Sequence, residues 1–257
     1  MKELGLQIYT VRDFTKTPEA LAETMKQIRE IGYTSIQTAG APKTVEEATA
    51  YKAAADAAGL SICGTHISWQ LIREEIDTAI EIHKILDTTN MGIGAMPVEA
   101  RSSKEELAAF IETANKVAER LAKEGMKFTY HNHSHEFRKI DGKLIMDMLI
   151  DGMDPDNTGF VLDTYWVQHG GGDVRYWIEK LKGRVDILHL KDMAKCPGNE
   201  PPQFITEVGN GNLYWEGILE TALNTGVKHF VVEQDTCPGD PFDSLKMSSD
   251  YLHANFF

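Results

Sequence analysis

The sequence predicts an α/β fold, a single (β/α)8 barrel of the TIM-barrel type. Short apolar or β-branched runs alternate with longer amphipathic segments along the whole chain, and several of the longer segments stop at a glycine. Both features are typical of parallel strands joined by helices. The length of 257 residues suits one α/β domain better than two small ones. We therefore expect one domain over residues 1–257.

Eight runs have the length and the apolar character of strands that are buried on both faces. The fourth is the weakest of them. In chain order they are Leu4 to Tyr9, Tyr33 to Gln37, Leu60 to His66, Asn90 to Gly94, Lys127 to Asn132, Gly159 to Asp163, Val185 to Leu190 and His229 to Glu233. Eight such strands with helices between them are enough to close a barrel.

The helices are predicted by apolar spacing and by signals at their ends. The segment Pro18 to Ile31 has its apolar residues on one face and stops at Gly32, a residue type that suits the position after a helix. The next helix opens at Thr44 with a capping-box spacing to Glu47. This second helix is predicted to end at Ala58. Four further helices are predicted, from Ser102 or Ser103 to Glu124, from Asp173 to Leu181, from Tyr214 to Asn224 and from Phe242 to His253.

Two glycine- or proline-rich stretches are predicted to be irregular. The longest, Asp192 to Gly211, follows the seventh strand and is expected to form a long βα loop, and such loops are more often functional than incidental. The glycine run 170–172 lacks the context of a phosphate-binding loop, so a turn before Asp173 is expected there.

Composition and charge exclude several classes of protein. The net charge of −13 argues against nucleic-acid binding, which needs clustered Lys and Arg. No apolar run approaches the roughly 18 residues of a membrane-spanning helix. Glu3 interrupts what would be the apolar part of a signal peptide. Three cysteines without CxxC spacing do not predict a disulfide framework. We expect a reduced, cytoplasmic protein.

Chemically active side chains end the predicted strands. In a barrel of this kind the C-terminal strand ends form one face, and active sites lie there. A hydrophobic core alone does not require imidazoles and carboxylates at four strand ends. These residues are Gln7 and Tyr9 on the first strand, His66 on the third, His131 and His133 at the fifth, Asp163 at the sixth, His189, Lys191 and Asp192 at the seventh, and Glu233 and Asp235 at the eighth.

Four of these side chains predict a metal site. If the barrel closes, His131, Asp163, His189 and Glu233 bring two imidazoles and two carboxylates into one mouth. Such a set suits Mn²⁺, Co²⁺, Zn²⁺ or Fe²⁺ better than Ca²⁺, which prefers oxygen alone. The identity of the one expected divalent ion stays open, with Mg²⁺ also a candidate.

Each residue taken singly also has a structural explanation. Asp163 could cap the segment that follows it, and Lys191 with Asp192 could be a solvated pair on a loop. His135 and Glu136 follow a strand end and are expected to be exposed. Four buried imidazoles and carboxylates in one mouth are harder to explain in this way, because they need mutual neutralisation.

Three tryptophans are candidates for stacking on a sugar ring, although core packing is the usual role of this residue. Of Trp69, Trp166 and Trp215, Trp166 is the best candidate because it follows Asp163 closely.

In this order the strand-end motifs resemble those of the xylose isomerase-like sugar isomerases and epimerases, which are metal-dependent barrels. The resemblance covers nearly the whole chain. It depends on Gly5-Leu-Gln-Ile-Tyr-Thr10, Gly64-Thr-His66, Tyr130-His-Asn-His133, Leu162-Asp-Thr164, His189-Leu-Lys-Asp-Met193, Glu207-Val-Gly-Asn-Gly211 and Val232-Glu-Gln-Asp235.

The resemblance implies a divalent metal held by a residue of the fifth strand with Asp163, His189 and Glu233. It also implies that Lys191 and His66 face the substrate and that Glu207 lies in a loop over the site. One motif departs from the better-known epimerases, which carry Glu-Asn-His where this chain has 131–133. A histidine there can bind a metal, but it cannot be the second carboxylate of a paired-glutamate proton shuttle.

The resulting hypothesis is a divalent-metal-dependent isomerase or epimerase of a sugar or keto-sugar. The metal would polarise a carbonyl, and Glu233 or His133 would remove the neighbouring proton. Gln7, Tyr9, Trp166 and Glu207 are expected to bind the substrate. The alternatives are a lyase, dehydratase or 3-oxo-glycoside cleaving enzyme, and a non-catalytic sugar-binding subunit.

Lys191 is the one cation clearly placed at the predicted mouth, which favours an unphosphorylated sugar. A homo-oligomer is left open, because barrel enzymes of this kind frequently associate.

Overall fold

Eight parallel strands close into a barrel in the computed structural model, which describes residues 3–195 and 203–257. The first strand pairs with the last, with Leu4 opposite Phe230, so the sheet has no free edge. The predicted (β/α)8 fold is confirmed. The barrel strands are β1 (Leu4–Gln7), β2 (Ser35–Ala39), β3 (Ser61–His66), β4 (Asn90–Ile93), β5 (Lys127–His131), β6 (Thr158–Asp163), β7 (Val185–Leu190) and β8 (His229–Val232).

The predicted strands agree closely with these bounds, and β1 differs for a local reason. The prediction extended it to Tyr9, but a 3-10 helix, Ile8–Phe14, starts directly after Gln7. The Gln7 side chain accepts a hydrogen bond from the backbone N–H of Tyr9, which caps this helix. The turn therefore begins two residues earlier than the apolar pattern indicates.

Helices cover the outside of the barrel. All six predicted helices are present, and Gly32 and Gly59 end two of them with φ values of 118° and 71°. Helices α3, α4, α6 and α7 are additional. The helices are α1 (Pro18–Ile31), α2 (Val45–Ala58), α3 (Trp69–Glu74), α4 (Ile76–Leu86), α5 (Lys104–Ala122), α6 (Ile145–Gly152), α7 (Thr164–His169), α8 (Val174–Lys180), α9 (Trp215–Thr225) and α10 (Pro241–Asn255).

Two short antiparallel hairpins lie in the connections between barrel strands. Asp192–Lys195 pairs with Gln203–Thr206, so the prediction of a long irregular loop over 192–211 is wrong for this part of it. The prolines of that prediction, Pro197, Pro201 and Pro202, lie outside the described residues. The other hairpin joins Lys139–Ile140 to Lys143–Leu144 through an Asp-Gly turn with positive φ at both residues. The glycines at 170–172 form the expected turn.

An apolar floor lies beneath the mouth of the barrel. Val161, Ile187 and Val231 precede Asp163, His189 and Glu233 by two positions on their strands, so each pair points to the same side of the sheet. The three apolar residues are buried in one cluster with Cys63. Polar residues at the mouth therefore stand on a layer that excludes water from below.

Within residues 3–195 and 203–257, every helix is too short or too polar to cross a lipid bilayer. The cytoplasmic location stays a prediction, as does a single domain over 1–257.

Candidate metal centre at the barrel mouth

Four side chains from four strands meet at the C-terminal mouth of the barrel. His131 ends β5 and Asp163 ends β6. His189 lies one residue before the end of β7, and Glu233 directly follows β8. One ligand atom of each residue lies within 4.8 Å of the other three, and all four residues are buried. The structure thus brings together the four predicted ligands.

A backbone carbonyl orients His131. Its Nδ1 lies 2.8 Å from the carbonyl oxygen of Gly94. Because that oxygen can only accept, Nδ1 carries the proton and Nε2 is left with a free lone pair. Nε2 lies 3.4 Å from Asp163 Oδ2. The ring therefore presents to the cluster the nitrogen that can bind a cation.

A glutamine side chain orients His189 in the same way. His189 Nε2 lies 2.5 Å from Gln37 Oε1, and this oxygen also accepts from Gln7 Nε2 at 2.9 Å. With the proton on Nε2, the lone pair of Nδ1 faces Glu233 Oε2 at 2.9 Å and Asp163 Oδ2 at 3.7 Å. Nδ1 and Glu233 Oε2 are both buried, and Glu233 Oε2 also lies 2.8 Å from the ammonium of Lys191. Burial lowers the pKa of His189, but Glu233 and Asp163 outweigh that effect and raise it, so either a proton on Nδ1 or a divalent ion would neutralise this pair.

The two oxygens of Asp163 have different partners. Oδ1 accepts the backbone N–H of Trp166 at 2.9 Å and so caps α7. Oδ2 faces the cluster, 3.4 Å from His131 Nε2. The backbone N–H of Asp163 donates to Asn132 Oδ1 at 2.9 Å. The carboxylate is therefore held in one orientation, and its capping role leaves one oxygen for a ligand.

The buried ammonium of Lys191 neutralises the carboxylates of the mouth. Its Nζ lies 3.0 Å from Asp163 Oδ2, 2.8 Å from Glu233 Oε2 and 2.9 Å from Asp235 Oδ1. Burial lowers the pKa of Lys191, but these three carboxylates outweigh that effect and raise it overall. Lys191 in turn holds the pKa of Asp163 and of Glu233 well below the usual range, against the opposing effect of burial.

The geometry and the chemistry of the donors fit a divalent ion. His131 Nε2, Asp163 Oδ2, His189 Nδ1 and Glu233 Oε2 would hold it. Both imidazoles already have the required tautomer, because each donates its other N–H to a fixed oxygen. The convergence of two oriented imidazole nitrogens and two carboxylate oxygens within 4.8 Å of one another is the observation that favours a metal most strongly.

A cavity of about 580 Å³ opens above the cluster, and its size suits a small-molecule ligand. The predicted catalytic residues His66, His133, Lys191 and Glu233 all line it. His66 Nδ1 lies 3.3 Å from Gln7 Nε2, and His66 Nε2 is buried without a partner. Burial and the neighbouring imidazoles hold the pKa of His66 well below its usual range, so the ring is neutral. Its Nε2–H is thus free to donate to a ligand.

His133 lines the cavity and packs against Trp166, which is not among the lining residues. Their ring centroids lie 5.2 Å apart, and His133 lies 4.9 Å from the ring of His131. Burial and His131 lower the pKa of His133 to about 3. His133 Nδ1 and Trp166 Nε1 are both buried without a hydrogen-bond partner. Unpaired buried groups of this kind at a cavity favour a polar ligand that pairs with them.

The other predicted substrate-binding residues differ in position. Tyr9 lines the cavity and is 43% exposed, with the guanidinium of Arg12 4.2 Å from its ring centroid. Gln7 lies beneath, in contact with His66 and Gln37. Glu207 accepts hydrogen bonds from Thr206, Asn210, Gln234 and Ser244 and is not among the residues that line the cavity. Its contact with substrate stays a prediction.

Trp69 and Trp215 have the structural role that is usual for tryptophan. Trp69 packs against Phe110 and Phe128, with centroid distances of 5.1 and 5.7 Å. Trp215 is buried and donates from Nε1 to Asp192 Oδ2 at 2.7 Å. Of the three stacking candidates, Trp166 is the one with a ring contact to a residue that lines the cavity, His133.

Two structural expectations about charged residues are wrong. Lys191 and Asp192 are buried rather than solvated, because Asp192 accepts several backbone N–H groups of the following segment, including that of Gly209 at 2.9 Å. Glu136 is also buried, since a short 3-10 turn, His135–Phe137, folds it back towards the barrel, and His135 is half-buried rather than exposed. There it accepts from the hydroxyl of Tyr130 and from the backbone N–H of His133.

Two residues at the mouth are absent from the predicted site. Gln37 orients His189 from the middle of β2. The predicted second strand ends at Gln37, so the strand-end criterion could have selected it. Asp235 lines the cavity and pairs with Lys191. The strand-end motif includes Asp235, so its position could have been used to select it.

Comparisons with known proteins agree with this architecture. The rhizopine catabolism protein MocC of Rhizobium meliloti is 22% identical over 90% of this chain and 80% of its own length. An inosose dehydratase of Bacillus licheniformis is 26% identical over 58% of this chain, and the match spans about half of that relative, 54% of its length.

A crystal structure of a sugar phosphate isomerase/epimerase from Parabacteroides distasonis superposes with a TM-score of 0.82. It is 23% identical, and the match covers 100% of this chain and 95% of that one. The family model of the xylose isomerase-like TIM barrel matches residues 25–252. This match extends over most of the barrel and includes all four residues of the cluster. The chain therefore belongs to the family of xylose isomerase-like TIM barrels.

Proposed function

We propose that this protein is a divalent-metal-dependent isomerase or epimerase that acts on a sugar or keto-sugar. The observation that carries the proposal is the buried cluster of two imidazoles and two carboxylates, whose four ligand atoms lie within 4.8 Å of one another. A divalent ion bound there would supply Lewis-acid polarisation of a carbonyl and its neighbouring hydroxyl. Manganese, cobalt, zinc, iron and magnesium are the candidate ions.

The residues around the cavity would bind the sugar and move a proton. His66 Nε2–H donates to a substrate oxygen, and the ammonium of Lys191 stabilises negative charge that develops on oxygen during proton abstraction. His133 and Asp235 face the cavity and are not needed as ligands, so either is free to take the proton beside the carbonyl. Glu233 is the third candidate for the base, because one of its carboxylate oxygens would hold the metal and the other would take the proton.

The second candidate is a lyase or dehydratase, including a 3-oxo-glycoside cleaving enzyme. One observation favours it: His131 at the end of β5 and His133 two residues later supply imidazoles to the mouth, whereas the carboxylates come from the end of β6 and from the residues after β8. A paired-glutamate shuttle across the barrel therefore lacks its member on β5. The sequence similarity to an inosose dehydratase also favours a dehydratase.

A proton-exchange experiment separates these functions. A panel of keto-sugars is incubated with metal-loaded protein in D₂O and followed by NMR. Incorporation of deuterium without loss of a group supports an isomerase or epimerase, and loss of a group supports a lyase. Asp163→Asn should abolish either signal. The matched control is Asp173→Asn, which changes a helix-capping aspartate away from the cluster. A sugar that binds without either signal would support the non-catalytic subunit instead.

A further inference from the structure

A second cavity continues from the one above the cluster. Its volume is about 400 Å³, and Ala39, Gly40 and Lys43 line both cavities. Ala39 is the last residue of β2, so the second cavity extends outward from the barrel mouth. It is bounded by the 3-10 helix that follows β1 and by the first turns of α1 and α2.

The junction between the two cavities is open. Gly40 has a φ of +69°, and a Cβ placed there would meet nothing within 4 Å. The positive φ disfavours any residue with a side chain. The backbone at this point is therefore bordered by free space, and a ligand seated over the cluster could extend past it.

The lining of the second cavity combines hydrogen-bonding groups of both kinds with an apolar floor. Arg12, Lys43 and Glu47 supply charged donors and acceptors, while Leu21, Ala50 and Tyr51 supply apolar surface. Within the described residues, no carboxylate lies within ion-pair distance of Arg12 or Lys43. Arg12 donates only to the backbone oxygens of Tyr9 and Asp235, at 2.7 and 3.2 Å.

In the described part of the chain, Arg12 and Lys43 are cations without ion-pair partners, so this wall can attract an anionic group as well as a neutral one. Glu47 contributes a negative charge to the wall, and Lys16 is already paired with Asp13 at 2.7 Å. A ligand with hydroxyl groups around an apolar ring face would use the charged groups as donors and acceptors and would cover the floor.

We propose that the second cavity binds a second sugar unit, so that the substrate is a keto-sugar carrying a glycosidically linked ring. This inference rests on the proposed function, which places the keto-sugar over the cluster. The linked ring then lies beyond Gly40, between Lys43 and the surface of α2 at Ala50 and Tyr51. The substrate class becomes a ketose disaccharide or a related glycoside.

Binding of a matched set of ketoses tests the inference. The probes are D-fructose, four glucosyl-fructoses that differ in linkage (turanose, maltulose, isomaltulose and leucrose) and D-fructose 6-phosphate. Affinities are measured on metal-loaded protein by calorimetry or saturation-transfer NMR. We expect at least one disaccharide to bind about tenfold more tightly than fructose, the effect of one hydrogen bond to a charged group.

Variants of one helix locate the effect. Ala50→Trp fills the second cavity and should abolish the disaccharide advantage while leaving the affinity for fructose unchanged. Ala53→Trp is the matched control, because Ala53 is exposed on α2 and does not line the cavity. Lys43→Met, which removes donors without filling space, should reduce the advantage in part.

Three outcomes would overturn the inference. No disaccharide binds more tightly than fructose, fructose 6-phosphate is the one probe that binds more tightly than fructose, or Ala50→Trp leaves the disaccharide affinity unchanged. The proposed function is tested separately by deuterium incorporation. Exchange with a simple ketose but no disaccharide advantage would leave the function standing and refute the second sugar site. Tighter binding of a disaccharide without deuterium exchange or group loss would support the second sugar site and refute the proposed function.

Discussion

His189 Nδ1 lies 2.9 Å from Glu233 Oε2 at the mouth of the barrel, and both atoms are buried. The arrangement depends on Gln37, which accepts the N–H on the other side of the imidazole. A lone pair and a carboxylate oxygen are thereby directed at the same point. The fold thus places two donor atoms where the proposed metal ion would bind.

Gln37 should determine how tightly the cluster binds a metal. Gln37→Leu removes the acceptor that places the proton of His189 on Nε2, so metal affinity should fall about 10- to 100-fold. Gln37→Glu keeps an acceptor at this position and should retain most of the affinity. Competition with a fluorescent chelator measures both. Equal affinity in wild type and Gln37→Leu would refute this role.

Lys191 should stabilise the metal-free protein. Lys191→Met leaves the carboxylates of Asp163, Glu233 and Asp235 without their shared cation, which should cost about 3–5 kcal/mol of unfolding free energy. An added divalent ion should then raise the melting temperature of the variant more than that of wild type. Thermal unfolding with and without metal tests this. The same increase in both proteins would show that the ion and the ammonium do not serve the same carboxylates.

The proton-transfer residue can be identified by paired variants. His133→Asn and Asp235→Asn each remove one group that faces the cavity and leave the four ligands intact. The variant that lacks the base should exchange substrate deuterium about 10²- to 10⁴-fold more slowly, with unchanged metal content. If both variants exchange at the wild-type rate, Glu233 is the remaining assignment.

Glu207 should make stability depend on pH. Burial raises the pKa of this carboxyl, but hydrogen bonds from Ser244, Thr206 and Gln234 outweigh it and lower the pKa to about 2, from 4.5. A lowered pKa stabilises the folded state above the unfolded value, and this contribution is lost as the pH falls from 4.5 towards 2. Glu207→Gln should therefore be less stable than wild type at neutral pH.

Urea unfolding across this acidic range provides the measurement. The difference in unfolding free energy between wild type and Glu207→Gln should become smaller as the pH falls. A difference that stays constant would mean that the charge of Glu207 is not the source of its contribution.

The strand-end pattern was enough to predict the barrel and to bring His131, Asp163, His189 and Glu233 together. Each of these ends or follows an apolar strand, and closure of the barrel places all such positions on one face. Short-range signals also located the ends of the helices, as Thr44 and Gly32 illustrate.

The parts that escaped prediction depend on contacts across long sequence distances. Gln37 ends a predicted strand, but its contact with His189, 152 positions away, is visible only in the folded chain. Glu136 follows a strand in a polar segment, and only the packed structure shows that it returns to Tyr130. Helix α4 was missed because its buried face includes His83, which pairs with Thr65 and so interrupts the apolar pattern. The second cavity arises between elements that are adjacent only after folding.

Metal content tests the central claim most directly. Protein purified without chelator is analysed by mass spectrometry for bound metals, together with Asp163→Asn and Asp173→Asn. Asparagine at 163 keeps the oxygen that caps α7 but removes the carboxylate charge, so the fold should persist. We predict one divalent ion per chain in wild type and in Asp173→Asn, and none in Asp163→Asn. Wild-type protein without bound metal, or equal metal content in Asp163→Asn, would contradict the account.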